Sequence, residues 1–177
     1  MTTVVVHDRD AMHALGERLA TLVCPGDLVV LSGGLGAGKT TLTQGIGRGL
    51  GVRGDITSPT FVIARVHPSL VGGPALVHVD AYRLSSLDEV DDLDLDASLE
   101  SSVTVVEWGE GKVEGLTESR LQVRIERATG GALAPVGGAT DPADPSDVAD
   151  PRTVTVAGVG PRWSGSDLDS VIAGGAA

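Results

Sequence analysis

Ser32-Gly33-Gly34-Leu35-Gly36-Ala37-Gly38-Lys39-Thr40-Thr41 carries the densest chemistry in the chain. From Gly33 to Thr40 it satisfies G-x-x-x-x-G-K-[ST], the spacing of a phosphate-binding loop. Glycines open backbone angles closed to other residues, so successive N–H groups can turn inward and hold phosphate oxygens. The candidates for that cradle are Gly34, Leu35, Gly36, Ala37, Gly38, Lys39, Thr40 and Thr41. A helix opening at Lys39 adds unpaired N–H groups and the positive end of its dipole. Lys39 is expected to reach the β- and γ-phosphates, and the Thr40 hydroxyl to ligate Mg²⁺. A glycine-rich turn that binds nothing does not account for Lys-Thr at this spacing between a strand and a helix.

Two acids are candidates for the metal and the attacking water. Leu76-Val77-His78-Val79 runs out to Asp80, and Val103-Thr104-Val105-Val106 runs out to Glu107. Ligands of a parallel sheet lie at the carboxyl ends of its strands, where both acids should emerge. Either acid alone reads as a chance strand-end residue; two beside a phosphate loop do not. His78 is expected to be structural or to orient a neighbour, not to ligate metal. Thr57-Ser58-Pro59-Thr60-Phe61 reads either as a switch-like loop whose hydroxyls sense the γ-phosphate or water, or as an ordinary Ser-Pro turn. Taken alone, the ordinary turn is preferred. Arg83 can act on phosphate or pair with the acids that follow it, the second being preferred. The chain has four aromatic side chains: one Phe, one Tyr and two Trp. Three of them, Phe61, Tyr82 and Trp108, lie beside Thr60, Asp80 and Glu107, and are expected to form one apolar wall that positions the site and excludes water.

The elements that must hold these groups follow from periodicity. Residues 27–31 read as a buried strand into the loop. Leu42, Ile46 and Leu50 then recur at i, i+4 and i+8, one stripe of a helix. Gly45, Gly47 and Gly49 each cost this helix about 1 kcal/mol relative to Ala, so packing on the sheet must hold it. Upstream, 4–6 is a short strand, and Asp8 or Asp10 can cap a helix with Met12, Leu15, Leu19 and Leu22 on one face. Pro25-Gly26 ends that helix. Strands at 61–66 and 75–79 are expected to form an antiparallel hairpin. Ser85 or Ser86 can cap a short helix in the Asp-rich run 85–96, which reads as a solvated face or as a contact for a basic partner. Leu121, Val123 and Ile125 alternate with polar residues, a half-buried strand. Residues 152–157 form a strand that should pair with it, and 166–177 are at most a short helix and a tail. Between those strands 128–151 is rich in Gly, Ala, Pro and Asp and is expected to be a disordered insertion. The whole, 1–177, reads as one α/β domain with a mixed sheet.

Bulk composition excludes several classes. Thirteen Lys and Arg against 24 Asp and Glu give a formal charge of −11. With no basic run, direct nucleic-acid binding is not expected, and any work on RNA would go through a partner. No apolar run approaches ~18 residues, so no membrane contact is expected. Residues 1–8 do not read as a signal peptide. The single cysteine, Cys24, allows no internal disulfide and is expected to be a small core residue at a helix end. A soluble cytoplasmic protein is the expectation.

The set Gly-Gly-Leu-Gly-Ala-Gly-Lys-Thr-Thr-Leu, Ser58-Pro59-Thr60-Phe61, His78-Val79-Asp80-Ala81-Tyr82-Arg83-Leu84 and Glu107-Trp108, in this order, resembles the TsaE family. These are small bacterial ATPases of threonylcarbamoyl-adenosine tRNA modification. The resemblance spans 1–127 and resumes at Arg152; the insertion is longer than the family pattern. It implies a P-loop NTPase-like α/β domain, its mixed central sheet flanked by helices, that binds ATP with Mg²⁺ and hydrolyses it slowly alone. It implies TsaD and TsaB as partners, tRNA contacted only through them, and no transfer of the threonylcarbamoyl group by this chain. It assigns Thr40 and Glu107 to Mg²⁺, Asp80 to the metal or water, Thr60 to the switch loop and Trp108 to the nucleotide site, with Lys39, Asp80 and Thr60 as the catalytic set.

Two other classes remain open on the residues alone. One is a small-molecule or nucleoside kinase, although no arginine-rich lid is evident. The other is an assembly module gated by nucleotide binding. A GTPase is disfavoured, because no Asn-Lys-x-Asp motif occurs.

Overall fold

The computed structural model describes residues 1–59, 63–83, 99–127 and 151–174. The described elements are β1 (Thr2–Val6), α1 (Arg9–Ala20), β2 (Leu28–Gly33), α2 (Lys39–Leu50), β3 (Ala64–His67), β4 (Ala75–Asp80), β5 (Ser102–Glu107), β6 (Arg120–Arg127), β7 (Arg152–Val159) and α3 (Leu168–Ala173). The strands form one seven-stranded sheet in the order β1-β7-β6-β2-β5-β4-β3. Strand β2 is central and parallel to both β6 and β5, and β5 is parallel to β4. The edges are antiparallel: β3 on β4, β7 on β6 and β1 on β7. The sheet is therefore mixed, as the sequence implied, and the carboxyl ends of β2, β4, β5 and β6 share one rim.

Alternation along the strands sorts the core into two layers. Val29, Leu31, Leu76, Val103, Val105, Leu121, Val123 and Ile125 face α1, α2 and α3. Leu28, Val30, Val77, Val79 and Val106 face the other way, with Val113 against them. Each such side chain, fully buried, contributes about 1.5–3 kcal/mol. Strand β6 alternates between buried and exposed positions as its sequence pattern predicts.

Asp8, not Asp10, caps α1: its Oδ1 accepts from the Ala11 N–H at 2.7 Å. The glycines of α2 have a specific use. A Cβ on Gly45 would lie 2.3 Å from the His13 carbonyl oxygen, and one on Gly16 2.5 Å from that of Leu42. Helices α1 and α2 thus cross backbone to backbone. Gly49 packs on Ala20 in the same seam, while Gly47 faces Ile56, Val52 and Leu76. The low helix propensity of α2 is offset chiefly by α1, not by the sheet alone.

Some sequence expectations change. The β3–β4 hairpin forms with its first strand described as Ala64–His67; residues 61 and 62 of the expected strand lie outside the described residues. Thr60 and Phe61 lie outside the described residues, as do the Asp-rich run 85–96 with its capping serines and 128–150 of the insertion. Cys24 is exposed, not in the core. Its N–H donates to Asp27 Oδ2 at 2.8 Å in a tight turn, which leaves the thiol outside, 3.6 Å from Arg162 Nη2.

Candidate functional site

The loop from β2 to α2 folds into a concave backbone. Gly33 lies at φ 145°, and a Cβ there would sit 2.4 Å from the Ile125 carbonyl oxygen. Gly38, at φ 109°, caps α2 without a side-chain acceptor, which leaves the first-turn N–H groups for a ligand. The Ala37 N–H bonds the Gly34 carbonyl at 3.2 Å and closes the turn. A cavity of about 460 Å³ opens over this loop, lined by residues 35–41 together with Ser58, Asp80, Tyr82, Glu107 and Trp108.

Asp80 and Glu107 are register partners at the ends of β4 and β5. Partners on adjacent parallel strands point to the same face, so both carboxylates meet the first turn of α2. Both are buried. Glu107 Oε1 accepts the Thr40 hydroxyl at 2.8 Å and His78 Nε2 at 2.9 Å. An ionised carboxylate only accepts, so the proton of this contact sits on His78 Nε2. His78 is fully buried two residues before Asp80 on the same face of β4 and orients Glu107. Asp80 Oδ2 accepts the Ser58 hydroxyl at 3.0 Å, and Oδ1 accepts the Tyr82 N–H at 3.0 Å. The Asp80 N–H in turn donates to the Ile63 carbonyl at 2.8 Å, which fastens the end of the preceding loop to the acid.

Lys39 is folded back on the loop. Its Nζ donates to the carbonyls of Gly33 and Gly34 at 2.9 and 3.0 Å. The same Nζ lies 3.7 Å from the Trp108 ring centroid, a cation–π contact. Burial pushes the Lys39 ammonium below its ordinary value, and the charges of Glu107 and Asp80 oppose the shift. Trp108 takes a left-handed φ of 61°, rare for a bulky residue, with its N–H on the Leu31 carbonyl at 3.0 Å. That turn carries the indole from the end of β5 back over the loop.

The structure brings together Gly34, Leu35, Gly36, Ala37, Gly38, Lys39, Thr40, Thr41, Asp80, Glu107 and Trp108; Thr60 lies outside the described residues. Of the expected aromatic wall, Tyr82 and Trp108 pair with centroids 5.2 Å apart, and Phe61 lies outside the described residues. Tyr82 is 62% exposed and Leu35 88% at the mouth of the cavity, while Trp108 is half-buried. Arg83 stands exposed at the end of a 3₁₀ turn, 81–83. Sequence reasoning did not reach Lys112, whose Nζ holds the Ala81 carbonyl at 2.6 Å, or Arg152, whose Nε holds that of Ala37 at 3.1 Å.

The donor set suits a hard divalent cation. It offers one hydroxyl and two carboxylates, all oxygen. Among the described residues no group of three or more His, Cys, Asp and Glu side chains forms a cage. Such a partial set fits Mg²⁺, which is commonly held by one or two carboxylates with phosphate oxygens completing its shell. Among the described residues no helix is long and apolar enough to cross a membrane.

The model of the family described as threonylcarbamoyl adenosine biosynthesis protein TsaE matches residues 6–132. The tRNA threonylcarbamoyladenosine biosynthesis protein TsaE of Streptomyces coelicolor is 64% identical over 165 residues, covering 92% of this chain and 100% of that protein. Its namesake in Bacillus subtilis is 41% identical over 116 residues, 65% of this chain and 71% of the relative. Among solved structures, that of Bacillus subtilis YdiB aligns with a TM-score of 0.64 at 30% identity, over 92% of this chain and 88% of that one.

Proposed function

Since the chain belongs to the TsaE family of threonylcarbamoyl adenosine biosynthesis proteins, we propose that it is a Mg²⁺-dependent ATPase of this tRNA modification, working with TsaD and TsaB and not transferring the threonylcarbamoyl group itself. The observation that carries this reading is the convergence of Lys39, Thr40, Asp80 and Glu107 on one cavity over the glycine loop.

In this reading the loop N–H groups hold phosphate oxygens, and Lys39 exchanges the Gly33 and Gly34 carbonyls for the β- and γ-phosphates. Thr40 and Glu107 would hold Mg²⁺, with His78 fixing Glu107. When bound, Mg²⁺ neutralises charge on the phosphate oxygens. Asp80, restrained by Ser58 and the Tyr82 N–H, orients water toward the terminal phosphate. Thr60 is given a part in the switch loop on the family motif alone. The charge of −11 supports leaving tRNA contact to the partners. Work on tRNA implies a cytoplasmic location.

The test is phosphate release from ATP and Mg²⁺, measured with and without TsaB and TsaD. Slow release that the partners accelerate supports the reading. No release under either condition, with ATP still bound, favours a module gated by binding alone.

A further inference from the structure

Arg152 opens β7 and is the last register partner of Arg127 at the mouth of the β6–β7 hairpin. It lies beyond the span of the family match, which ends at residue 132. Its Nε donates to the Ala37 carbonyl oxygen at 3.1 Å. The Ala37 carbonyl and the Gly38 N–H belong to one peptide unit. No cis bond is present among the described residues, and in a trans peptide these two groups point in opposite directions. Strand β7 lies on the β6 side of β2, while Asp80 and Glu107 end strands on the β5 side. A carbonyl held toward β7 therefore aims the Gly38 N–H toward the cavity that those acids line.

Glycine at φ 109° tolerates rotation of this peptide unit better than any other residue. An anchor on the carbonyl is thus what fixes the direction of the N–H. A charged donor on the carbonyl also polarises the peptide and strengthens its N–H as a donor. Arg127 adds a second guanidinium beside the loop, with Nη1 4.0 Å from where a Cβ on Gly36 would lie.

We infer that Arg152 is a positioning residue for nucleotide phosphate, presetting the Gly38 N–H through the Ala37 carbonyl. This rests on the reading of the cavity as a nucleotide site. The experiment measures ADP affinity and the Gly38 amide resonance of ¹⁵N-labelled protein in four forms: wild type, Arg152→Ala, Arg152→Lys and Arg124→Gln. Arg124 is exposed on β6 and paired with Glu126 at 3.0 Å, so it controls for the loss of a nearby charge. Arg152→Ala should weaken ADP about ten-fold and shift the Gly38 amide in the free protein. Arg152→Lys, which keeps a charged donor, should recover most of both effects, and Arg124→Gln should show neither. Should Arg152→Ala fail to fold, Arg152→Met, which keeps the aliphatic stem and carries no donor, makes the same comparison. Wild-type affinity in the neutral Arg152 variant, or an unmoved Gly38 amide, overturns the inference and leaves the nucleotide reading standing. Absence of ADP binding by the wild type overturns both.

Discussion

Thr40 Oγ1 and Glu107 Oε1, 67 residues apart in sequence, are joined by a hydrogen bond of 2.8 Å across the cavity. The hydroxyl proton occupies the line between the two oxygens assigned to Mg²⁺. Glu107→Gln should therefore raise the Mg²⁺ needed for half-maximal phosphate release by about ten-fold or more, since a neutral amide is a poor ligand for a hard cation. Thr40→Ser should keep the wild-type requirement. His78→Ala should shift it in the same direction as Glu107→Gln but less, by loosening the carboxylate. A Mg²⁺ titration of all three variants tests this; an unchanged requirement in Glu107→Gln removes its ligand role.

Asp80 and Ser58 are expected to act on turnover more than on binding. Asp80→Asn should lower the rate of phosphate release by about 100-fold while changing ATP affinity by less than about three-fold. Ser58→Ala should show the same pattern at roughly ten-fold, because the Tyr82 N–H still holds the other oxygen of Asp80. Parallel measurement of binding and release separates the two effects. Equal losses in both would return Asp80 to a structural role.

The pH response of Lys39 has opposite signs for binding and for folding. Burial lowers this ammonium below its ordinary 10.5, against the pull of Glu107 and Asp80. Phosphate favours the charged form, so nucleotide affinity is full below the lowered value and falls as pH rises through it. The unfolded chain holds the same proton more tightly. This group's contribution to stability therefore rises with pH between the lowered value and 10.5, and is lost as pH falls through the lowered value. ADP titrations carried upward from neutral pH to 10.5 should show the decline. Lys39→Arg should bind more weakly but with a flat profile, because a guanidinium keeps its proton.

The β6–β7 register places Arg127 opposite Arg152, so a two-residue turn suffices to join them. Replacing 128–151 with Asn-Gly should leave the melting temperature within about 5 °C and ADP affinity within about three-fold. A larger fall in either shows that the segment packs on the domain.

The glycine loop was legible because its chemistry is local: ten consecutive residues carry the backbone, the cation and the hydroxyl. Asp80 and Glu107 were legible because an apolar run ending in an acid places that acid at the rim of a sheet. Contacts between distant segments left no such pattern. Nothing in the neighbourhood of Arg152 points to the Ala37 carbonyl, since the acceptor is backbone and backbone has no sequence. Gly45, Gly47 and Gly49 read as a propensity cost, because the partner that needs them, α1, is invisible in a single-helix window. Cys24 was misplaced for a similar reason. Apolar character suggested burial, but the turn closed by Asp27 faces the thiol outward. The N-terminal strand was visible, but not that it lies at the far edge on β7, the last strand of the chain.

The seam between α1 and α2 has a mechanical side. A Cβ on Gly45 or Gly16 would strike the opposing backbone, so the two helices lie in direct contact with no side chain between them. The helix proposed to receive the phosphates is thus backed directly by α1. Across the cavity, Ser58 and Tyr82 are joined to the opposing rim through the carboxylate of Asp80. The cavity thus lies between a helix seated on its neighbour's backbone and a rim whose hydroxyl and amide both hang on one carboxylate.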